Sequence, residues 1–526
     1  MLSLLLPLTA PGSLEAQRRA AGPFAQVANE MKTAKFSGWL LAAVGGAASA
    51  GEIASSYDAP GGLLLTDRLG RPLAVSTNHA HPSLHPPAGF GMDCQLPPAA
   101  KGAVQSEPVR RRIVGSKSTA ETLDWFPATP PVLAPYLANL DECGNTAAQP
   151  GALFSTDPLS RAAQAGKYWL SGLGFRETLY QSLTAVSLAD PVAGSSSLQY
   201  YTADFLGKWA VYEVPRGGPA GWLSMEAYAQ LGLSPASRTQ SPQGNLGTVV
   251  NPQANVTGPN GFWLAELAWQ QSFSEGQVVV LAGLVDQGNY LDANAYANSS
   301  HSQFLNGAFV NSSVLPLPGN NLGVTLQWQP ANSWYLLFGT GANNQAPGQS
   351  PFPQLGWANW SYVLEFGLTP QKVLGLGPGV YRFQPFVATV AGETQGGFGF
   401  NFQQQLGPDS PLGCFGRVGV GGSRVTLDGA RAQASAGLVL QAPLKQLGLV
   451  TRLTNDLLGL GLVWSRPTAT TQTVYHEDEY ALEAFYALQL TPTMTLQPDL
   501  QVVWNPAFNP SARSAIVAQL QLNLVW

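Results

Sequence analysis

The sequence predicts an all-β fold, a transmembrane antiparallel β-barrel of about 16 strands. Three observations carry that expectation. Charged residues make up 11% of the 526-residue chain, against roughly 25% in soluble globular proteins. Hydrophobic residues still reach only 45%, because 57 glycines and many Gln, Asn, Ser and Thr supply the missing polarity. From about residue 175 onward, apolar and polar side chains alternate in short runs separated by turn residues, the two-residue period of a strand with unlike faces. Such a strand keeps mean hydropathy near zero, as it is here. After the N-terminal region there is no run of 18 or more apolar residues, so no spanning helix is expected.

Taken in order, residues 1–50 read as a non-mature region. "MKTAKFSGWLLAAVGGAASAGE" begins at Met31, carries Lys32 and Lys35 before an apolar stretch, and presents Ala48-Ser49-Ala50 before Gly51. That is the layout of a secretory signal peptide, with translation expected from Met31 and cleavage after Ala50. A signal begun at Met1 is the alternative. Residues 51–165 are Pro-rich and aperiodic, as in "HAHPSLHPPAGFGMDCQLPPAAKG", and read as a periplasmic arm or linker that buries little. Residues 166–526 form the expected barrel.

Its strands are expected near 180–193, 198–214, 221–233, 261–273, 277–290, 321–329, 333–342 and 360–372. The remaining ones are expected near 379–392, 396–406, 412–423, 430–443, 447–464, 479–491, 494–505 and 514–526. In "LQPDLQVVW", Gln497, Asp499 and Gln501 share one face, while Leu496, Leu500, Val502 and Trp504 share the other. The final strand puts Leu520, Leu522, Leu524 and Trp526 toward lipid, and Gln519, Gln521 and Asn523 toward a watery lumen. In lipid every backbone group needs a partner, so the last strand must pair with the first. "SFSEGQ" and "LTPTM" are tight connections, whereas "ASRTQSPQGNLGTVVNPQANVTGPN" and "GTGANNQAPGQSPFPQLGWAN" are long. Short periplasmic turns and long external loops produce that alternation.

Two stretches resemble the carbohydrate-selective porins of the OprB family. In 283–339 the resemblance rests on Asp292, Asn294, Tyr296, Ala297, Gln303, Phe304, Asn306, Ala308 and Phe309. In 480–510 it rests on Glu483, Phe485, Tyr486, Gln489, Asp499, Gln501, Asn505 and Pro506. Between these blocks the resemblance is one of strand rhythm, and residues 51–165 lie outside it. It implies a porin-like barrel with an inward-folded constriction loop after the fifth strand, in the outer membrane of a Gram-negative-type cell. It also implies passive diffusion of glucose and other small sugars without a cofactor, insertion by the β-barrel assembly machinery, and a homotrimer as one oligomeric option.

On that reading Tyr296, Phe304 and Phe309 anchor the loop to the wall, and Asp286, Asp292, Asn294, Asn298, His301, Gln303 and Asn306 are pore candidates. Charge on a lipid face is costly, so alternation points Glu226, Glu266 and Glu365 inward as acids, and Arg382, Arg417, Arg431 and Arg452 as bases. Opposed charges across an eyelet would order water and favour hydroxyl-rich solutes, with Tyr228 and Phe386 as rings for sugar faces. The other reading is that these charges neutralise one another while holding the wall. Glu483 and Asp499 fit either role.

A metal is not expected. His79, His81 and His85 lack further ligands, and "RRRIVGS" precedes no nucleophile motif. Gly-rich pieces such as "LGLGPG" lack the strand-to-helix context of a phosphate loop. Cys94 and Cys143 either pair, given an oxidising compartment, or stay free thiols, and Cys414 stands alone on a strand. The net charge of −5 argues against nucleic acid. A barrel-embedded enzyme would need a nucleophile–base pair, and only His301 and His476 fall in the barrel region. A general or anion-selective porin of the same architecture is the remaining alternative.

Overall fold

The computed structural model describes residues 151–154, 170, 175–213, 220–256, 260–274, 277–331, 333–343, 359–390, 392–408, 410–422, 429–468 and 473–525. The expected signal peptide, nearly all of the Pro-rich arm, Cys94, Cys143 and Trp526 lie outside these residues.

Sixteen strands account for most of them. The first eight are β1 (Phe175–Leu188), β2 (Ser197–Glu213), β3 (Ala220–Gly232), β4 (Gly261–Phe273), β5 (Val278–Val285), β6 (Asn321–Ala331), β7 (Trp334–Ala342) and β8 (Trp360–Leu368). The others are β9 (Gly379–Val390), β10 (Glu393–Gln405), β11 (Leu412–Gly421), β12 (Ala430–Gln441), β13 (Leu457–Pro467), β14 (Glu479–Thr491), β15 (Met494–Trp504) and β16 (Ser514–Val525). Each pairs antiparallel with its chain neighbour, and β1 pairs with β16 to close the barrel. At that seam Thr184 faces Gln521 and Ala185 faces Leu520. The Thr184 hydroxyl donates to Gln521 Oε1 at 3.0 Å on the inner side. No helix among the described residues is long and apolar enough to cross a membrane; the strands cross it.

The alternation read from the sequence is the division between the two surfaces. On β16, Ile516 and Leu520 are each 48% exposed, whereas Val517, Gln519, Gln521 and Asn523 are buried. The outward band continues through Leu264, Leu326, Leu364, Val418, Leu460 and Leu500. Aromatic residues flank it at both rims. Tyr480 pairs with Trp504 near the loop-bearing end, and Trp328 meets Trp334 edge-on at 5.4 Å near the other. Such girdles sit at membrane interfaces. The inner surface carries Thr325, Gln327, Asn401, Gln403, Gln497 and Gln501.

Leu520→Arg puts a charge on the lipid face in mid-strand, which costs about 2–4 kcal/mol near the midplane. The expected result is a smaller folded fraction after dilution from urea into lipid vesicles. Ala518→Ser, on the same face, should fold as well as the parent.

Several boundaries shift. The thirteenth strand, expected from 447, begins at Leu457, because Pro443–Gln446 forms a helical turn. Leu447 and Leu449, which imitate strand alternation, are 70% and 69% exposed in that connection. The fifth strand ends at Val285, before the loop turns inward at Asp286. Among the described residues Cys414 is free and half-buried on β11.

Candidate functional site

The connection between β5 and β6, residues 286–320, runs into the barrel interior, and nearly every motif residue in it fastens it there. It begins at Asp286, whose side chain accepts from the Gly288 N–H at 2.9 Å and starts a single 3-10 turn. Asn289 Nδ2 then donates to Glu226 Oε2 at 2.5 Å. The Tyr290 hydroxyl donates to Glu266 Oε1 at 2.6 Å, and Ser224 donates to the same carboxylate. Burial, and next the adjacent Glu266 carboxylate, holds the Tyr290 phenol well above its ordinary range, so it stays a neutral donor.

Asp292 is the hinge of the arrangement. It is fully buried with φ +62°, a backbone region that Asp tolerates better than most residues. Its N–H donates to Glu365 Oε2 at 2.9 Å, and its Oδ2 receives Arg417 Nε at 3.0 Å. Asn401 Nδ2 donates to Asp292 Oδ1 at 2.6 Å. The rest of the Arg417 guanidinium serves the carbonyls of Ala297 and Phe309, both at 2.8 Å. Glu365 also accepts from Tyr335 at 2.6 Å and Gln384 at 2.8 Å, with Arg382 Nε 3.7 Å away. Buried charges with this many donors are compensated.

Further along, Asn294 accepts from the Tyr296 N–H at 3.0 Å and donates to Asn401 at 2.8 Å. Gln303 Oε1 accepts from the Asn298 N–H at 2.8 Å, tying the loop to itself. Glu483 on β14 accepts from the N–H groups of Leu305 at 2.6 Å and Asn306 at 3.0 Å. Asn306 caps the short helix α2 (Gly307–Val310) and donates to Gln501 at 3.1 Å. Asp499 receives Gln501 at 3.0 Å on the wall beside it.

Aromatic packing seals the underside. Phe304 lies 4.7 Å from Phe309, 4.8 Å from Phe485 and 5.3 Å from Phe415, centroid to centroid. Gly461 makes room for them: a Cβ there would meet Phe309 at 2.8 Å and Phe304 at 2.9 Å. Tyr296 is buried in the same cluster.

The expected site residues therefore divide. Asp286, Asn298 and His301 line an open cavity of about 390 Å³. Asp292, Asn294, Gln303, Asn306, Glu226, Glu266, Glu365, Arg382, Arg417, Glu483 and Asp499 are buried between loop and wall. The eyelet of opposed charges is thus corrected: Arg382 and Arg417 meet Glu365 and Asp292 behind the loop, not across an opening. Arg431 is corrected too. A bulge between Ala430 and Ala432 turns Ala430 inward and leaves Arg431 exposed. Arg452 is not on a strand at all; it is exposed in the connection before β13. Phe386 is buried at 4% exposure, packed over Gly397 and unavailable to a solute. Tyr228 lines the cavity, stacked on Trp263 at 5.9 Å.

A second inward loop was not anticipated. The connection from β3 to β4, residues 233–260, was read as external. It carries the helix α1 (Pro242–Leu246) and then turns into the barrel. Glu479 accepts from Val249 N–H at 2.9 Å and Val250 N–H at 3.3 Å, and Gln519 donates to the Pro252 carbonyl at 2.9 Å. It rests on the first loop through Ala254 N–H to Leu305 O at 2.7 Å and Gly307 N–H to Asn251 O at 2.8 Å. A second space of about 690 Å³ opens between the two loops, lined by Gln230, Gln240, Gln243, Asn251 and Asn260 among others. Both spaces are lined by Asn311 and Ser312, where they adjoin.

A closed sixteen-stranded antiparallel barrel, apolar outside and polar within, with the loop after its fifth strand folded inward, is the architecture of an outer-membrane porin. Residues 384–525 match the family model described as carbohydrate-selective porin, OprB family, so the resemblance read from the sequence holds over the C-terminal part of the barrel. The chain is 26% identical to Porin AaxA of Chlamydia abortus over 266 residues, which cover 49% of this chain and 56% of that protein. It is 25% identical to Porin AaxA of Chlamydia felis over 276 residues, 49% of this chain and 57% of the relative. The chain thus spans little more than half the length of these curated relatives. The structure of Pseudomonas putida OprB at high pH superposes with a TM-score of 0.57 at 16% identity, covering 72% of this chain and 100% of that one. That similarity is one of fold.

Proposed function

We propose that the protein is a passive channel, not an enzyme, and that carbohydrates such as glucose diffuse through it. The observation that supports this reading most is the lining of the larger space. Amide and hydroxyl groups from Gln230, Gln240, Gln243, Asn251, Asn260 and Ser312 surround it, and Arg238 is its one charged side chain among the described residues. Neutral donors and acceptors on a relatively fixed frame match the hydroxyls of a sugar and can replace its water. A solute then passes the mid-barrel cavity between the first loop and the β1–β4 wall. On the same reading the barrel is inserted by the β-barrel assembly machinery.

The test is reconstitution of the purified protein in liposomes and planar bilayers. Glucose should swell proteoliposomes faster than a charged solute of the same size, and oligosaccharides should reduce single-channel current reversibly. A conducting channel that ignores sugars in both assays would remove the carbohydrate reading and leave the barrel intact.

A further inference from the structure

The mid-barrel cavity has a charge pattern of its own. Strand register puts four inward side chains in one row around the wall: Tyr180 on β1 faces Asp204 on β2, Asp204 faces Tyr228 on β3, and Tyr228 faces Trp263 on β4. Directly opposed residues on neighbouring strands hold their side chains side by side, and all four line the cavity. His301 from the loop stacks on Tyr180 with ring centroids 4.6 Å apart. The row is therefore a carboxylate between two aromatic pairs, Tyr180 with His301 and Tyr228 with Trp263.

Asp204 is 3% exposed, and its Oδ1 has no hydrogen-bond partner. Its Oδ2 lies 3.7 Å from His301 Nε2, within ion-pair range but beyond a hydrogen bond. Asp286 lines the same cavity from the loop. Among the described residues that line it there is no Lys or Arg. Arg382 and Arg417 are held behind the loop with Glu365 and Asp292, and Lys208 is buried within the field of Glu266. A buried carboxylate oxygen without a donor, flanked by π-faces, is satisfied by a cation, and ring faces add to that attraction.

We infer that this row makes the channel cation-preferring, with Asp204 as its specificity-determining residue and monovalent cations as the ligands. The inference concerns ions and stands apart from sugar passage. A carboxylate removed ~5 Å from a permeating ion in water-like surroundings changes that ion's occupancy about fourfold.

The test is the reversal potential of the full protein in planar bilayers across a KCl gradient at neutral pH. The parent should pass K+ over Cl−. Asp204→Asn, which keeps the shape of the side chain, should lower the permeability ratio by about fourfold to sixteenfold, because K+ loses an attraction and Cl− a repulsion of the same size. Asp286→Asn should lower it in the same direction. Asp478→Asn, which removes a half-exposed acid paired with Arg466 at 2.8 Å and lining neither space, should leave it unchanged. Each variant must keep its heat-modifiable band on gels, and Asp204→Glu should restore the parent ratio if Asp204→Asn does not fold. A parent channel that is unselective or prefers Cl−, an Asp204→Asn channel with the parent's potential, or an equal shift in Asp478→Asn would each overturn the inference.

Discussion

Arg417→Ala should free the inward loop and give a larger, noisier conductance from a barrel that still forms. The guanidinium gives Nε to Asp292 at 3.0 Å and reaches the carbonyls of Ala297, Phe309 and Asp292 at 2.8, 2.8 and 3.0 Å. Removing it strands a fully buried carboxylate and several buried carbonyls. Breaking one side of such a pair costs about 3–5 kcal/mol. The wall is spared because β11 remains laddered to β10 and β12 on both sides. Lysine should not rescue, since one ammonium cannot present a planar fork of donors. Asp292→Ala in the Arg417→Ala background should cost less than the two single changes summed, because neither charge is then left alone. Single-channel recording reads the conductance, and the temperature at which the folded band is lost reads the stability.

Phe304→Ala should act on the same loop from its apolar side. Phe304 is 1% exposed and packs on Phe309, Phe415 and Phe485. Truncating a buried phenylalanine costs about 3–5 kcal/mol in lost transfer energy and cavity. Little collapse into the gap is expected, because Phe415 and Phe485 belong to strands whose positions are fixed by their ladders. The melting transition should fall, and the loop should become open to protease added to the external side. Gly461→Val approaches the cluster from the wall and should overpack it, with a penalty of about 1–3 kcal/mol.

Much of this was readable in the chain because a membrane barrel imposes one rule on every strand. In "EYALEAFYALQL", Glu483 and Gln489 had to oppose Tyr480, Leu482 and Tyr486, and they do. The aromatic anchors Phe304 and Phe309 were legible for a similar reason, as large apolar side chains in a loop otherwise rich in Asn and Ser. Alternation says which side of the wall a residue faces. It does not say whether water or a folded loop waits there. Arg382 and Arg417 were therefore placed inward but not behind the loop, where partners more than a hundred residues distant from Arg417 in the chain claim it. Arg431 shows the other limit: one bulged residue reverses the parity of a strand end, and nothing in "GARAQASAG" marks it. The second inward loop left one trace, Glu479 on an inner face with no basic neighbour in its motif; the partners turn out to be backbone N–H groups of that loop and of Ala507.

The wall itself is open to a direct measurement. Spin labels are placed singly from residue 516 to 521 of β16 in the protein reconstituted in bilayers, and relaxation by oxygen is compared with relaxation by a water-soluble nickel complex. Labels at 516, 518 and 520 should respond to oxygen, and those at 517, 519 and 521 should be shielded from it, an oscillation with period two. A flat profile, or a label at 520 that relaxes fully with the nickel complex, would contradict a closed barrel with lipid on one side and packed loops on the other.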